Sequence, residues 1–146
     1  MAGKVVVLGI DPGSIITGFG IVETDGSSSR VIAWDSVKTS SRTPLHARLA
    51  AIYQAVVEQI SSHRPDVVAV ESVFQSKNVR SALMLGHARG VILLAAAQSG
   101  AEIHEYAPRE VKQSVVGIGS ASKAQVASMV RRLLDIGDVE LGEDES

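Results

Sequence analysis

The chain lacks cysteine, is poor in aromatic residues and shows no evident leader sequence. The absence of cysteine excludes a disulfide scaffold, a thiol nucleophile and zinc sites with thiolate ligands. Aromatic residues make up only 3% of the sequence, so the core must be built mainly from Val, Ile, Leu and Ala. We expect no segment to be long and apolar enough to span a membrane, and no basic-then-apolar signal peptide opens the chain. These expectations favour a cytoplasmic protein. A hydrophobic content of 45% over 146 residues predicts one globular domain with a substantial core.

The net charge of -2 argues weakly against a nucleic-acid-binding protein, but the charges are unevenly distributed. Five of the 16 acidic residues lie within residues 136–146, a stretch without Lys or Arg. The rest of the chain has 14 basic and 11 acidic residues, a net charge of about +3. Such a mildly basic body can bind a phosphate backbone, because the distribution of charge matters more than its total.

The pattern of apolar residues predicts a mixed sheet combined with helices, which is the α/β class. Strand-like apolar runs and helical spacing alternate along the chain and are separated by Gly, Pro and polar breaks. The first three strands should form an antiparallel meander, and the helix before the fourth implies a crossover to a parallel partner. We predict strands at 4–10, 17–24, 30–38, 67–70 and 103–106, and helices at 44–62, 78–98, 108–116 and 120–134.

Asp11 follows the first predicted strand and directly precedes a Pro-Gly break. Because Pro12 cannot donate a hydrogen bond to a sheet, the strand ends there and leaves a carboxylate at its carboxyl end. A charge at a buried strand end is costly, and a metal ion or phosphate chemistry would explain it. The alternative is that Asp11 only stabilises the turn, for which Asp-Pro-Gly is well suited.

Glu71 comes directly after the fourth predicted strand. If this strand pairs in parallel with the first, Glu71 and Asp11 emerge at the same sheet edge, where ligands of such sheets bind. Two carboxylates held close raise each other's pKa unless a cation lies between them. Oxygen ligands in a chain without cysteine favour magnesium or manganese over zinc. Taken alone, Glu71 is a solvated strand end; together with Asp11 it indicates a metal site.

Further candidates lie in the second half of the chain. Asp144 is an acid near the end of the sequence, where acidic tails are usually solvated. Phe74 follows Glu71 by three residues, and it either packs in the core or, if exposed, stacks on or wedges between bases. Most basic side chains in this half, Arg89 among them, are interpreted as solvated helix residues. Three are selected as phosphate contacts: Lys77, Lys112 and Lys123.

The predicted helix 78–98 is apolar on nearly all sides, and Asn78 can cap its N-terminus. Ala82, Gly86 and Gly90 recur every four residues and form a smooth ridge. This ridge either packs closely on the protein's own sheet or lets another backbone approach. The apolar residues beside it favour a second buried face and hence a homodimer.

Three long stretches carry a family resemblance: LGIDPGSIITGFGIV, AVESVFQSKNVRSALMLGHARGVILLAA and EYAPREVKQSVVGIGSASKAQVASMV. Together they cover nearly the whole chain and are similar to the RuvC family of bacterial Holliday-junction resolvases. The resemblance implies a ribonuclease H-like fold, with helices on both faces of a mixed five-stranded sheet. It also implies a homodimer that nicks two opposed strands of a four-way DNA junction in recombination and repair. A branch-migration helicase complex is the partner that the family suggests.

The resemblance implies roles for individual residues. In the family, four carboxylates hold the metals, which we expect to be two Mg²⁺ or Mn²⁺ ions per site, and three of them match Asp11, Glu71 and Asp144. The fourth would lie beyond Ser146, so we expect residues 1–146 to be one nuclease domain without its final helix. The remaining matches are a base-unstacking aromatic at Phe74, DNA-contacting lysines at Lys112 and Lys123, and a dimer helix around residues 81–90.

Three functions are compatible with these residues. The first is a junction endonuclease that hydrolyses phosphodiester bonds with metal ions. The second is an ATP-binding module of the actin-like class, which opens with a similar strand and glycine turn. Such folds need a second similar half, for which this chain has no room. The third is a junction-binding protein without catalysis, because the loss of one carboxylate should weaken a metal site more than DNA binding.

Overall fold

The structure is a computed structural model that describes residues 3–25, 29–72 and 78–106. Within these residues the chain forms five strands and two helices. In chain order they are β1 (Val5–Asp11), β2 (Ile16–Thr24), β3 (Ser29–Lys38), α1 (Leu45–His63), β4 (Val67–Glu71), α2 (Val79–Ser99) and β5 (Glu102–Tyr106). Each predicted boundary in this part of the chain differs from the observed one by a single residue or agrees with it. The helices predicted at 108–116 and 120–134 lie outside the described residues.

The five strands form one mixed sheet in the order β3-β2-β1-β4-β5. The first three strands are an antiparallel meander, with Gly9 of β1 opposite Gly20 of β2 and Gly20 opposite Trp34 of β3. β4 lies parallel to β1 on its other side, and β5 lies parallel to β4. The predicted meander and the predicted crossover are both confirmed, and β1 is the central strand of the sheet.

One face of the sheet forms the core with the two helices. Side chains alternate along a strand, so Leu8 and Ile10 of β1 lie on the same face, and Val68 and Val70 of β4 share it. These four residues are fully buried and pack in one cluster with both helices, whose fully buried members are Ile52, Val56, Ala88, Ile92 and Ala96. Both described helices therefore cover this face. Whether helices also cover the opposite face, as the fold class implies, depends on residues outside the described ranges.

Helix α2 is defined at both ends by its sequence. The side chain of Asn78 accepts a hydrogen bond from the backbone N–H of Ser81 at 2.8 Å, so the predicted cap is confirmed. Gly100 ends the helix with a left-handed backbone, φ 81°, a conformation that glycine adopts without strain. The two caps therefore fix both ends of the helix that follows Glu71 in the chain.

The expectation that no segment could span a membrane was wrong for α2. By length and composition alone, its 21 residues are sufficient. The reason is that α2 carries apolar residues on two sides, one stripe buried against the sheet and another, including Leu83 and Leu94, exposed. The same test is passed by core helices of soluble proteins, and the buried stripe of α2 is part of the core described above.

Candidate active site

Asp11 and Glu71 occupy matching positions at the carboxyl ends of the two central parallel strands. Ile10 pairs with Val70 in the register of β1 and β4, and each carboxylate is the next residue along its strand. Because side chains alternate, both acids lie on the sheet face opposite the one that α1 and α2 cover. The side chains meet in a hydrogen bond. The juxtaposition predicted from the crossover is thus confirmed, although the residues are 60 positions apart in sequence.

The turn after Asp11 is built around Gly13. A Cβ atom at Gly13 would collide with the backbone carbonyl oxygen of Ile16, so only glycine fits this turn as it stands. The N–H of Gly13 points toward the hydroxyl of buried Thr17, at 3.5 Å. The chain therefore reverses directly into β2, and Gly18 of that strand lies opposite Asp11. A Cβ on Gly18 would reach within 3.9 Å of the Asp11 Cβ, so the glycine leaves room beside the carboxylate.

The two carboxyl groups share a proton. Glu71 is only 8% exposed and Asp11 is half-buried. Burial raises the pKa of Glu71, and the hydrogen bond to Asp11 and the charge of Asp11 raise it further, to about 9. Burial also raises the pKa of Asp11, while the hydrogen bond from Glu71 opposes that rise. With a pKa of about 9, Glu71 is protonated at neutral pH when no metal is bound and can donate the hydrogen bond that joins it to Asp11.

This pair fits a hard divalent cation. Magnesium, manganese and calcium prefer carboxylate oxygens, and a cation between two carboxylates replaces the proton that otherwise joins them. In the described part of the chain, no third His, Cys, Asp or Glu completes a cluster around the pair. Two carboxylates are an incomplete ligand set, so a bound ion would need further oxygen ligands from water, a phosphate or another part of the chain.

The other candidate residues from the sequence fall outside the described residues. Phe74 and Lys77 lie in 73–77, directly after the end of β4, whereas Lys112, Lys123 and Asp144 lie beyond Tyr106. Their assignments as a base-stacking aromatic, phosphate contacts and a third metal ligand therefore stay predictions.

Two arginines near the site were not predicted from the sequence. Arg89 is not a fully solvated helix residue, because its side chain is 26% exposed and forms an ion pair with Glu105. Arg48, which no sequence argument singled out, donates from Nη2 to the Ser14 carbonyl oxygen at 2.6 Å. One signal was present in the sequence: Arg89 is the only Asp, Glu, Lys or Arg within residues 81–99, and an isolated charge in an apolar helix needs a partner.

Comparison with known proteins identifies the family. The family model described as "Crossover junction endodeoxyribonuclease RuvC" matches residues 7–145. The chain belongs to the RuvC family. The RuvC of Heliobacterium modesticaldum is 46% identical over 139 residues, which cover 95% of this chain and 86% of that protein. The RuvC of Desulforamulus reducens is 42% identical over 139 residues, which cover 95% of this chain and 85% of that protein.

Solved structures agree with the sequence relatives. A Thermus thermophilus RuvC in complex with a Holliday junction substrate superposes with a TM-score of 0.69 at 36% identity, covering 89% of this chain and 79% of that one. A yeast mitochondrial Holliday junction resolvase matches with a TM-score of 0.55 at 14% identity, over 92% of this chain and 65% of that one. The second likeness supports the fold alone. The predicted ribonuclease H-like α/β class is confirmed by the observed sheet and these structural neighbours.

Proposed function

We propose that this RuvC-family chain is an endonuclease that resolves four-way DNA junctions by metal-dependent hydrolysis of phosphodiester bonds, in recombination and repair. The observation that carries the proposal is the buried Asp11–Glu71 pair at the carboxyl ends of two central strands. Family membership supplies the substrate, because the named relatives are crossover junction endonucleases and one was solved with a Holliday junction.

The residues of the chain would act as follows. Asp11 and Glu71 would hold a divalent cation through their carboxylate oxygens, and Glu71 would give up its proton when the cation is bound. When bound, divalent cations activate the attacking water and stabilise the leaving 3' oxygen. The tight turn at Gly13 and the glycine at position 18 keep bulky side chains away from the acids, so that a phosphodiester can approach them. We propose Mg²⁺ as the metal, with Mn²⁺ as a substitute, and two ions per site with Asp144 among their ligands.

We also propose that the protein is a homodimer formed through α2. Five of its residues are exposed and lie along one side of the helix, opposite its buried stripe: Val79, Leu83, Gly86, Gly90 and Leu94. Val79, Leu83 and Leu94 are 75%, 61% and 52% exposed, although each is a large apolar side chain. The two glycines let the backbone of a second copy come close, since among the residues that the structure describes nothing outside the helix's own backbone lies within 4 Å of a Cβ built at either glycine. A two-fold dimer would present one site to each of two opposed strands.

Two further proposals rest on the family alone. We propose a branch-migration helicase complex as a partner, since junction resolution follows branch migration. We propose a cytoplasmic location, where chromosomal DNA of a bacterial cell is accessible. Co-purification with the helicase complex on a junction, compared with junction DNA alone, tests the first.

The test of the central proposal compares cleavage with binding. Full-length protein should cut a labelled four-way junction with Mg²⁺, and Asp11→Asn should slow cutting by at least about a hundredfold while leaving junction binding nearly unchanged. Asp35→Asn, the same change at an exposed position on β3, is the matched control and should cut normally. Binding in EDTA should favour the junction over a linear duplex and should weaken with salt.

Three outcomes contradict the proposal. If the protein shifted junction and linear duplex equally in a gel, it would have no specificity for the junction. Undiminished cutting by Asp11→Asn would remove the catalytic role of the pair. Junction binding without any metal-dependent cutting by the parent protein would leave a junction-binding module in place of an endonuclease.

A further inference from the structure

Each described helix directs one arginine to the segment that follows a site carboxylate. Arg48 of α1 contacts Ser14, three residues after Asp11, and Arg89 of α2 contacts Ser72, the residue after Glu71. The helices pack on the sheet face away from the carboxylates, so these arginines reach the site only at the ends of the strands. Arg48 makes this contact with a backbone carbonyl, and Arg89 makes it with a side-chain hydroxyl.

Arg48 holds the turn after Asp11 together with the end of β3. Its Nη2 donates to the Ser14 carbonyl oxygen at 2.6 Å, and its Nε donates to the Thr39 hydroxyl at 3.3 Å. The backbone N–H of Thr39 donates in turn to the Ile15 carbonyl oxygen at 2.8 Å. Two consecutive carbonyl groups of the turn therefore have donors from outside it. These bonds restrict where the turn, and with it Asp11, can move.

Arg89 holds the ends of β4 and β5 together. Its Nη2 lies 3.4 Å from the Ser72 hydroxyl and forms an ion pair with the Glu105 carboxylate. Glu105 pairs with Val70 in the β4–β5 register, so the guanidinium connects the two strands next to Glu71. The Nε of Arg89 is shielded from solvent, so this side of the guanidinium lies against the protein.

We propose that Arg48 and Arg89 are positioning residues that fix Asp11 and Glu71 at the separation a metal ion requires. The inference rests on the proposed function, in which these acids bind metal. A functional metal site needs its ligands within about 0.5 Å of the productive geometry, and residues that support ligands typically change metal affinity about 10- to 100-fold when they are removed. The planar guanidinium suits this role, because its N–H groups are held in a fixed arrangement and can donate to two groups at once. A lysine ammonium lacks this fixed arrangement of donors.

The test measures Mn²⁺ binding directly, without cleavage. Mn²⁺ is titrated into metal-free full-length protein in a calorimeter, and junction binding is measured separately in EDTA. Arg89→Gln and Arg48→Gln should each weaken Mn²⁺ binding about tenfold. Arg89→Lys should recover part of the loss through the ion pair with Glu105. Junction binding in EDTA should change less than twofold, and cutting by the variants should recover at raised Mn²⁺.

The controls separate positioning from general damage. Arg80→Gln makes the same change at an exposed position of α2 and should bind Mn²⁺ like the parent. Ser72→Ala removes only the hydroxyl that Arg89 contacts, so it tests the idea even if the arginine variants fold poorly; it should weaken Mn²⁺ binding by about threefold. Thermal unfolding and light scattering verify the fold and the oligomeric state of each variant.

Three results would overturn the inference. Folded Arg89→Gln and Arg48→Gln proteins that bind Mn²⁺ like the parent would show that the arginines do not position the acids. A loss of junction binding in EDTA with unchanged Mn²⁺ affinity would make them phosphate contacts. If the parent itself did not bind Mn²⁺, the proposed function and this inference would both be overturned. This outcome differs from the first, because Arg80→Gln would then also fail to bind Mn²⁺.

Discussion

Removal of the Glu71 carboxylate should stabilise the metal-free fold at alkaline pH. The pKa of a glutamate in an unfolded chain is near 4.5, whereas burial and Asp11 raise the pKa of Glu71 to about 9 in the folded protein. Between these values the folded state holds a proton that the unfolded state has released. The contribution of this proton to the stability of the folded state is therefore complete below pH 4.5 and is lost progressively as the pH rises through 9. The glutamine side chain of a Glu71→Gln variant is uncharged at every pH and escapes this loss.

The size of the effect follows from the linkage relation. One bound proton changes the free energy of unfolding by at most about 1.4 kcal/mol per pH unit. From pH 6 to pH 8, the parent should lose up to about 2.7 kcal/mol relative to Glu71→Gln. For a domain of this size, that corresponds to roughly 5 to 10 °C in Tm. Asp11 is present in both proteins, so the comparison reports the proton on Glu71 together with the effect of Glu71 on Asp11.

Thermal unfolding in EDTA, followed by circular dichroism at pH 6, 7 and 8, measures this difference. The Tm of the parent should fall relative to Glu71→Gln as the pH rises. Mn²⁺ at pH 8 should then stabilise the parent, whose site can bind it, much more than the variant. Glu58→Gln, an exposed change on α1, should follow the parent curve. Parallel curves for the parent and Glu71→Gln would refute the shared proton and the burial that causes it.

Three further predictions concern glycines and a helix cap. Gly13→Ala should lower the free energy of unfolding by about 1–3 kcal/mol in urea titrations, because the added Cβ meets the Ile16 carbonyl; an unchanged midpoint would contradict the turn geometry. Gly86→Leu should leave the monomer as stable or stabilise it by up to about 1 kcal/mol, yet weaken the dimer at least about tenfold by light scattering, since a Cβ at this position meets nothing within 4 Å in the described part of the chain. A dimer of unchanged strength would exclude this ridge from the interface. Asn78→Ala should cost about 1 kcal/mol in the same titrations through loss of the cap, and no cost would argue against the hydrogen bond to Ser81.

Strong local signals explain why the strands and helices were predictable. The run that ends at Asp11 is apolar on both faces, and Pro12 marks where it must stop. Asn78 and Gly100 bracket α2 with side-chain and backbone chemistry that few other residues supply. The crossover rule then fixes the direction of β4, and this alone is enough to bring Glu71 beside Asp11.

The remaining features depend on how elements rotate and dock, which local sequence does not encode. Arg89 reaches Ser72 and Glu105 because of the angle at which α2 lies on the sheet, and the 3.6-residue period does not determine that angle. Arg48 contacts Ser14, which lies 34 positions earlier in the sequence. The pKa of Glu71 depends on burial by the whole fold. Likewise, the expected absence of a membrane-length apolar helix failed because the exposed stripe of α2 adds to its buried one.

The parallel pairing of β1 with β4 also determines the order in which the chain can fold. β1, β2 and β3 pair with their neighbours in sequence and can form a meander early, as soon as they are synthesised. The free edge of β1, by contrast, must wait for β4, whose residue Val67 pairs with Val7 across 60 positions of chain. Until α1 and β4 emerge from the ribosome, an apolar central strand is exposed at an edge, where it is prone to wrong pairing. The two acids come together in this late step, so a divalent ion can bind both only once the slowest contacts of the sheet have formed.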